Sequence, residues 1–178
     1  QRRKEDQAAC TLLGVTWQHE TIPDCIYRRD ASGRHLYTSD ETLFGEIAPA
    51  EEPLVEHLTR RLENLVPADA HLVVPLTLGG HVDHRLVRRA AQKLARPLWY
   101  YADYPYARTA SARELLACLP TSACLHRFPL SQANLQAWTS AMAAYASQLT
   151  TFWESEDALH AEMCAWAASL GGALLWRA

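Results

Sequence analysis

The chain has 178 residues, 49% hydrophobic and 21% charged, which suits one folded domain and excludes a disordered tail. Seventeen Lys and Arg against twenty Asp and Glu leave a net charge of −3, so the basic footprint of a general nucleic-acid binder is absent. The richest apolar stretch, Met163 to Trp176, is short and broken by Ser169, Gly171 and Gly172, and the opening Gln-Arg-Arg-Lys-Glu-Asp has no apolar core; neither a membrane span nor a signal peptide is expected.

In chain order, Ala8, Ala9, Leu12 and Leu13 mark the apolar side of a helix from Arg2 to Leu13, with Gly14 at its stop. Val15 to His19 reads as a short strand. Asp24 to Thr38, turning at Ser32-Gly33, reads as an irregular hairpin-like excursion. Leu54, Leu58, Leu62 and Leu65 place an amphipathic helix over Glu51 to Val66. His71 to Leu76 has the look of a buried strand, followed by a Gly-rich loop from Thr77 to Asp83 and a helix from His84 to Arg96. The apolar stripe of that helix is Val87, Ala90, Ala91 and Leu94, and its Arg85, Arg88, Arg89, Lys93 and Arg96 read as a solvated face. Strands are expected at Leu98 to Ala102, Cys124 to Leu130 and Ala173 to Trp176. One long helix should run from Ser131 to Phe152 and another from Asp157 to Ala168.

Helices alternating with apolar strands give an α/β fold, a Rossmann-like three-layer sandwich with a mostly parallel sheet in a single domain over residues 1–178. The chain opens on Gln within what already reads as a helix, so the fold is expected to be N-terminally incomplete. Five cysteines without a C-x-x-C pair argue against a disulfide framework and for reduced thiols in a cytoplasmic protein.

Gly79-Gly80-His81-Val82-Asp83-His84 carries the densest chemistry. Two imidazoles and a carboxylate just past a core strand form a metal or acid/base arrangement, and glycines let a ligand approach the backbone. The bland alternative is that Asp83 caps the following helix while both histidines face solvent. A zinc site needs three protein ligands and an open position, and the remaining histidines make no second close pair. Metallo-β-lactamase-type hydrolases also use an Asp-His pair, but Gly79 stands where they need a histidine. No Gly-x-Ser-x-Gly elbow supports serine hydrolysis.

Pro75-Leu76-Thr77-Leu78-Gly79-Gly80-His81-Val82-Asp83-His84-Arg85, with Ala90-Ala91, resembles the second motif of the PIG-L (LmbE-like) N-acetylglucosaminyl deacetylases. Arg2-x-x-Glu5 with Ala8, Ala9 and Leu13-Gly14-Val15, the run Tyr100 to Ala107, and Ala144-Tyr145-Ala146-Ser147-Gln148 resemble further family stretches in the same order. The family's first motif, Ala-His-Pro-Asp-Asp-Glu, is not present and would lie upstream of Gln1; there it supplies two zinc ligands and the general base. Trp138 replaces a common Lys, and Ala173-Leu174-Leu175-Trp176 lacks the acid of a C-terminal Glu-x-x-Trp.

The resemblance implies zinc-dependent hydrolysis of the N-acetyl amide of an N-acetylglucosamine-type sugar conjugate, by one zinc whose other ligands lie upstream of Gln1. It implies His84 as a metal ligand and His81 as the group that stabilises the tetrahedral intermediate or protonates the departing amine. Asp83 would orient and charge-tune His81. Arg2 and Asp24 match substrate-contacting positions, and Tyr104 and Tyr106 are expected to bind substrate by lining the mouth of the site, although each also has a plain reading: a surface Arg, a turn-forming Asp, packed loop tyrosines. The expected partner is a small N-acetylated sugar conjugate, with no nucleic acid, no membrane span and oligomerisation open. The 178 residues alone are expected to be inactive. The alternative is a non-catalytic sugar-binding or scaffold domain of the same fold.

Overall fold

The computed structural model describes residues 1–178. The helices are α1 (Arg2–Leu13), α2 (Asp40–Leu43), α3 (Glu52–Leu65), α4 (Val82–Gln92), α5 (Tyr106–Thr109), α6 (Ala112–Cys118), α7 (Gln132–Ala143), α8 (Ala146–Phe152) and α9 (Glu156–Leu170). The strands are β1 (Leu72–Pro75), β2 (Leu98–Tyr101), β3 (Cys124–Phe128) and β4 (Ala173–Arg177). The chain divides into two compact units, Gln1–Thr21 with Arg127–Leu174, and Ile22–His126 with Leu175–Ala178.

The α/β class is as the sequence predicts. The sheet has the order β1-β2-β4-β3 and is mixed: β1 and β2 run parallel, with Leu72 opposite Leu98 and Pro75 opposite Tyr101, whereas β4 runs antiparallel to β2. Parallel neighbours need a crossover, and α4 supplies it. The loop after β1 and the residues after β2 therefore both lie at carboxyl ends of parallel strands, where α/β folds gather their chemistry.

In the unit of residues 22–126, Val55 and Leu58 of α3 pack on Leu86 and Ala90 of α4, with Ile22, Ile47, Leu54 and Leu62 around them. Burying side chains of this size stabilises by about 1.5–3 kcal/mol each. A second cluster joins Cys25, Tyr37 and Val82. Helix α4 begins at Val82 rather than His84 and ends at Gln92. Its core face is the i, i+4, i+8 series Val82, Leu86, Ala90 with Ala91, so Val87, expected inside, is exposed. Its basic residues are largely engaged, Arg89 with Glu52 at 2.6 Å and Lys93 with Glu56 at 2.5 Å.

In the unit of residues 1–21 and 127–174, α1 ends as expected. Gly14 is left-handed, and the N–H of Val15 reaches back to the carbonyl of Cys10. Val15 to His19 forms no strand; it makes no ladder, and Val15 and Trp17 are exposed. The expected long helix is two, α7 and α8, broken at Ala144-Tyr145. Side chains of α1 explain the break. Glu5 accepts the backbone N–H and the hydroxyl of Ser147 at 3.0 and 2.6 Å, filling the role of a cap for the orphan donors that open α8. Asp6 takes the Tyr145 hydroxyl at 2.6 Å and His19 at 2.7 Å. All five cysteines are free, and no helix is long and apolar enough to cross a membrane.

Candidate functional site

The loop after β1 is tightly wound. Thr77, Gly79 and Gly80 have φ of 66°, 77° and 76°, the left-handed region. A side-chain carbon on Gly79 would lie 2.4 Å from the Tyr106 ring, and one on Gly80 would lie 2.7 Å from the Phe44 carbonyl oxygen. Both positions thus need glycine for conformation and for space.

His81 is the N-cap of α4, and its Nδ1 accepts the backbone N–H of Asp83 at 3.2 Å. That bond makes Nδ1 the acceptor, so the neutral ring carries its proton on Nε2. Burial lowers the His81 pKa, the neighbouring Asp83 pulling the other way. Capping therefore falls to His81, where the bland sequence reading gave it to Asp83. The carboxylate of Asp83 instead meets Arg28 at 2.5 Å. Arg28 is buried and also pairs with buried Glu51 at 2.5 Å, whose other oxygen accepts the Tyr37 hydroxyl at 2.5 Å. Burial and that bond push the Tyr37 hydroxyl up to about 12.

His84, in the first turn of α4, points its Nδ1 at Oδ1 of Asp103, 2.5 Å away. Asp103 is fully buried just past β2, and its Oδ2 accepts the N–H of Leu78 at 3.0 Å. The imidazole is thereby fixed with Nε2 outward. A carboxylate behind a histidine in this manner is the support metal-binding histidines commonly have, so His84 fits the role of a zinc ligand. The His81 and His84 rings lie 5.5 Å apart. Tyr106 stands 6.3 Å from His84, and Phe44 stands 5.7 Å from His81 and 6.2 Å from Tyr106, all centroid to centroid. A cleft of about 440 Å³ opens beside the loop, walled by Phe44, Gly79, Gly80, Tyr106 and Cys118; neither histidine lines it.

Asp24 caps the short 3-10 turn Cys25–Tyr27 and accepts from the N–H of Ile26 at 3.4 Å, the turn-forming role foreseen as its plain reading. Cys25 follows it into the core, with Sγ 3.9 Å from Nε2 of His81 and 3.4 Å from Oδ1 of Asp24. Burial, then Asp83 and Asp24, push its thiol up to about 12. Tyr104 is half-buried in the segment that carries Tyr106. His81, Asp83, His84, Asp24, Tyr104 and Tyr106 all belong to one unit; Arg2 belongs to the other, where it is exposed and donates to Gln148 at 3.4 Å.

Sequence reading missed Arg28, Glu51, Cys25, Phe44 and Asp103. Asp103 had a signal, an acid at the carboxyl end of a predicted strand. The others lie in irregular segments whose pairing depends on tertiary contacts.

No family model matches the chain, and no curated protein matches it in sequence. Solved structures do resemble it. A zinc-inhibited form of a teicoplanin deacetylase is 24% identical with a TM-score of 0.71, covering 99% of this chain and 72% of that one. A deacetylase–teicoplanin complex is 25% identical with a TM-score of 0.73 and the same coverage. The deacetylase of the A40926 pseudoaglycone is 25% identical with a TM-score of 0.67, covering 99% of this chain and 68% of that one. The chain therefore shares the fold of deacetylases.

Proposed function

We propose that the chain carries the second half of the active site of a zinc-dependent deacetylase, a PIG-L/LmbE-like hydrolase of the N-acetyl amide of a sugar conjugate such as an N-acetylglucosaminide. The observation that carries this reading is His84, clamped by buried Asp103 at 2.5 Å, beside His81 with its proton on Nε2. Likeness in fold to a deacetylase solved with teicoplanin and to the A40926 pseudoaglycone deacetylase supports it.

In this reading His84 is one zinc ligand of the site, and the other two ligands and the general base are those that a first motif of the Ala-His-Pro-Asp-Asp-Glu kind would supply. A bound zinc supplies an acidified water and a polarised acetyl carbonyl. His81 donates its Nε2–H to the oxygen on which charge develops. Its Nδ1 is occupied by the Asp83 N–H, which supports a role as hydrogen-bond donor to the oxyanion over one as the acid for the leaving amine. Arg28 holds the Asp83 carboxylate, and Asp83 in turn anchors the cap on which the His81 ring orientation rests. Tyr106 and Phe44 wall the two imidazoles. Asp24, Tyr104 and Arg2 are proposed substrate contacts.

Two variants of the full-length protein test the assignment. A donor used only in the transition state contributes about 3–4 kcal/mol, so His81→Ala should lower turnover of an N-acetylated sugar roughly 100- to 1000-fold with the zinc at His84 retained. His84→Ala should instead lose zinc. Normal turnover in the first, or full zinc in the second, removes that residue from its role.

A further inference from the structure

Cys25, His81 and Asp83 place a sulfur, an imidazole nitrogen and a carboxylate oxygen within 4.8 Å of one another. These three residues come from different parts of the chain, the 3-10 turn at Cys25 and the start of α4, and Val82 between them is fully buried. Tetrahedral zinc bonds sulfur at about 2.3 Å and nitrogen or oxygen at about 2.0–2.2 Å, so the ligand atoms of a one-sulfur site stand about 3.3–3.7 Å apart. The 3.9 Å between Cys25 Sγ and His81 Nε2 lies a few tenths of an ångström above that range, within reach of a side-chain rotation. The Asp83 carboxylate, paired with Arg28 at 2.5 Å, is the third donor and has to turn toward the ion for the set to close.

Charge favours a cation here despite the nearby guanidinium. Arg28 is balanced by Glu51 at 2.5 Å, which leaves the carboxylates of Asp83 and Asp24 as excess negative charge around the thiol. Asp83 is about one-third exposed, which gives an ion a way in from solvent. The donor set of one thiol, one imidazole and one carboxylate selects a borderline or soft ion such as Zn²⁺ or Cd²⁺ over Mg²⁺ or Ca²⁺.

We infer that Cys25, His81 and Asp83 form a second metal site, separate from His84, whose occupation by a soft divalent ion switches the active site off. Binding replaces the Cys25 Sγ–H bond by a sulfur–metal bond and sends the proton to solvent. The ion also takes Nε2 of His81, the atom that donates to the oxyanion; the proton on Nε2 passes to Nδ1, which gives up the bond from the Asp83 N–H. The regulatory consequence rests on the function proposed above; the metal site itself does not.

Titration of the full chain with Cd²⁺, followed by the ultraviolet thiolate-to-cadmium charge-transfer band, tests the site without reference to activity. Cys25→Ser should lose the band belonging to one equivalent of cadmium, and His81→Ala should weaken its affinity at least tenfold. His84→Ala should keep it, as should Cys164→Ser, which removes the other cysteine near a histidine, His160 at 3.5 Å. A Cys25→Ser chain that folds and titrates like the wild type overturns the site, as does an unaltered affinity in His81→Ala. For the switch, excess Zn²⁺ should inhibit hydrolysis by the full-length enzyme, and Cys25→Ser should relieve the inhibition. Inhibition unchanged in Cys25→Ser overturns the switch. A Cys25-dependent cadmium band in a protein that hydrolyses no N-acetyl sugar upholds the site and overturns the functional reading instead.

Discussion

Arg28 lies 2.5 Å from Asp83 and, through its Nε, 2.5 Å from Glu51, so one buried cation joins the start of α4 to the residue that precedes α3. Removing one partner of a buried pair strands the other, at about 3–5 kcal/mol. Arg28→Met should therefore cost about that much in denaturant unfolding. Adding Glu51→Gln, which removes the stranded charge yet still offers Tyr37 an acceptor, should restore part of it. Equal stability of the single and double variants would show that Glu51 is not the stranded group.

Asp103 serves two partners, the His84 ring and the Leu78 N–H. Supporting carboxylates of this kind are worth about 10- to 100-fold in metal affinity. Asp103→Asn should weaken zinc binding through His84 by that factor, measured by competition with a chelating dye. An unaltered affinity would separate His84 from the metal.

The loop glycines differ from a turn glycine. Gly33 has φ of 84° with open space where a side chain would go, so Gly33→Ala should cost only the left-handed strain of about 1–2 kcal/mol. Gly80→Ala adds a contact of 2.7 Å with the backbone at Phe44, which no flexible side chain can relieve. Its midpoint of unfolding should fall clearly further than that of Gly33→Ala; equal losses would mean that the loop yields.

The hydrogen bond from Tyr145, with help from His19, holds the Asp6 carboxyl below its ordinary pKa. A depressed folded pKa stabilises fully above the unfolded value of about 3.9 and is lost as pH falls through the lower folded one. Tyr145→Phe should thus cost about 1.5 kcal/mol near neutral pH. In urea unfolding the gap to wild type should narrow in strong acid. A gap that persists there would mean that the hydroxyl acts through packing and not through Asp6.

Helices with a clear stripe and a stop residue were legible: α1 with Gly14 and α3 with its leucines fall within a residue or two of expectation. So was the pair of strands around α4, because apolar runs flanked by glycine and proline carry their own punctuation. The break between α7 and α8 was not legible. Nothing local ends that helix; Glu5 and Asp6, more than a hundred residues earlier in the chain, do. At the site, the histidines and Asp83 stood out because they crowd one short loop. Arg28 and Glu51 stay hidden in sequence because each looks like an ordinary surface charge until the fold buries both.

Asp103 reaches Leu78 with one oxygen and His84 with the other, so a carboxylate at the end of β2 ties the Gly-rich loop to the first turn of α4, and Arg85 holds the Gly80 carbonyl besides. A loop tethered in that way is no lid. Its ordering is completed when the chain folds, and an arriving ligand meets a finished wall with little conformational entropy left to lose there. Recognition at this face should accordingly be governed by fit, with the loop amides as slow to exchange with solvent before a ligand binds as after.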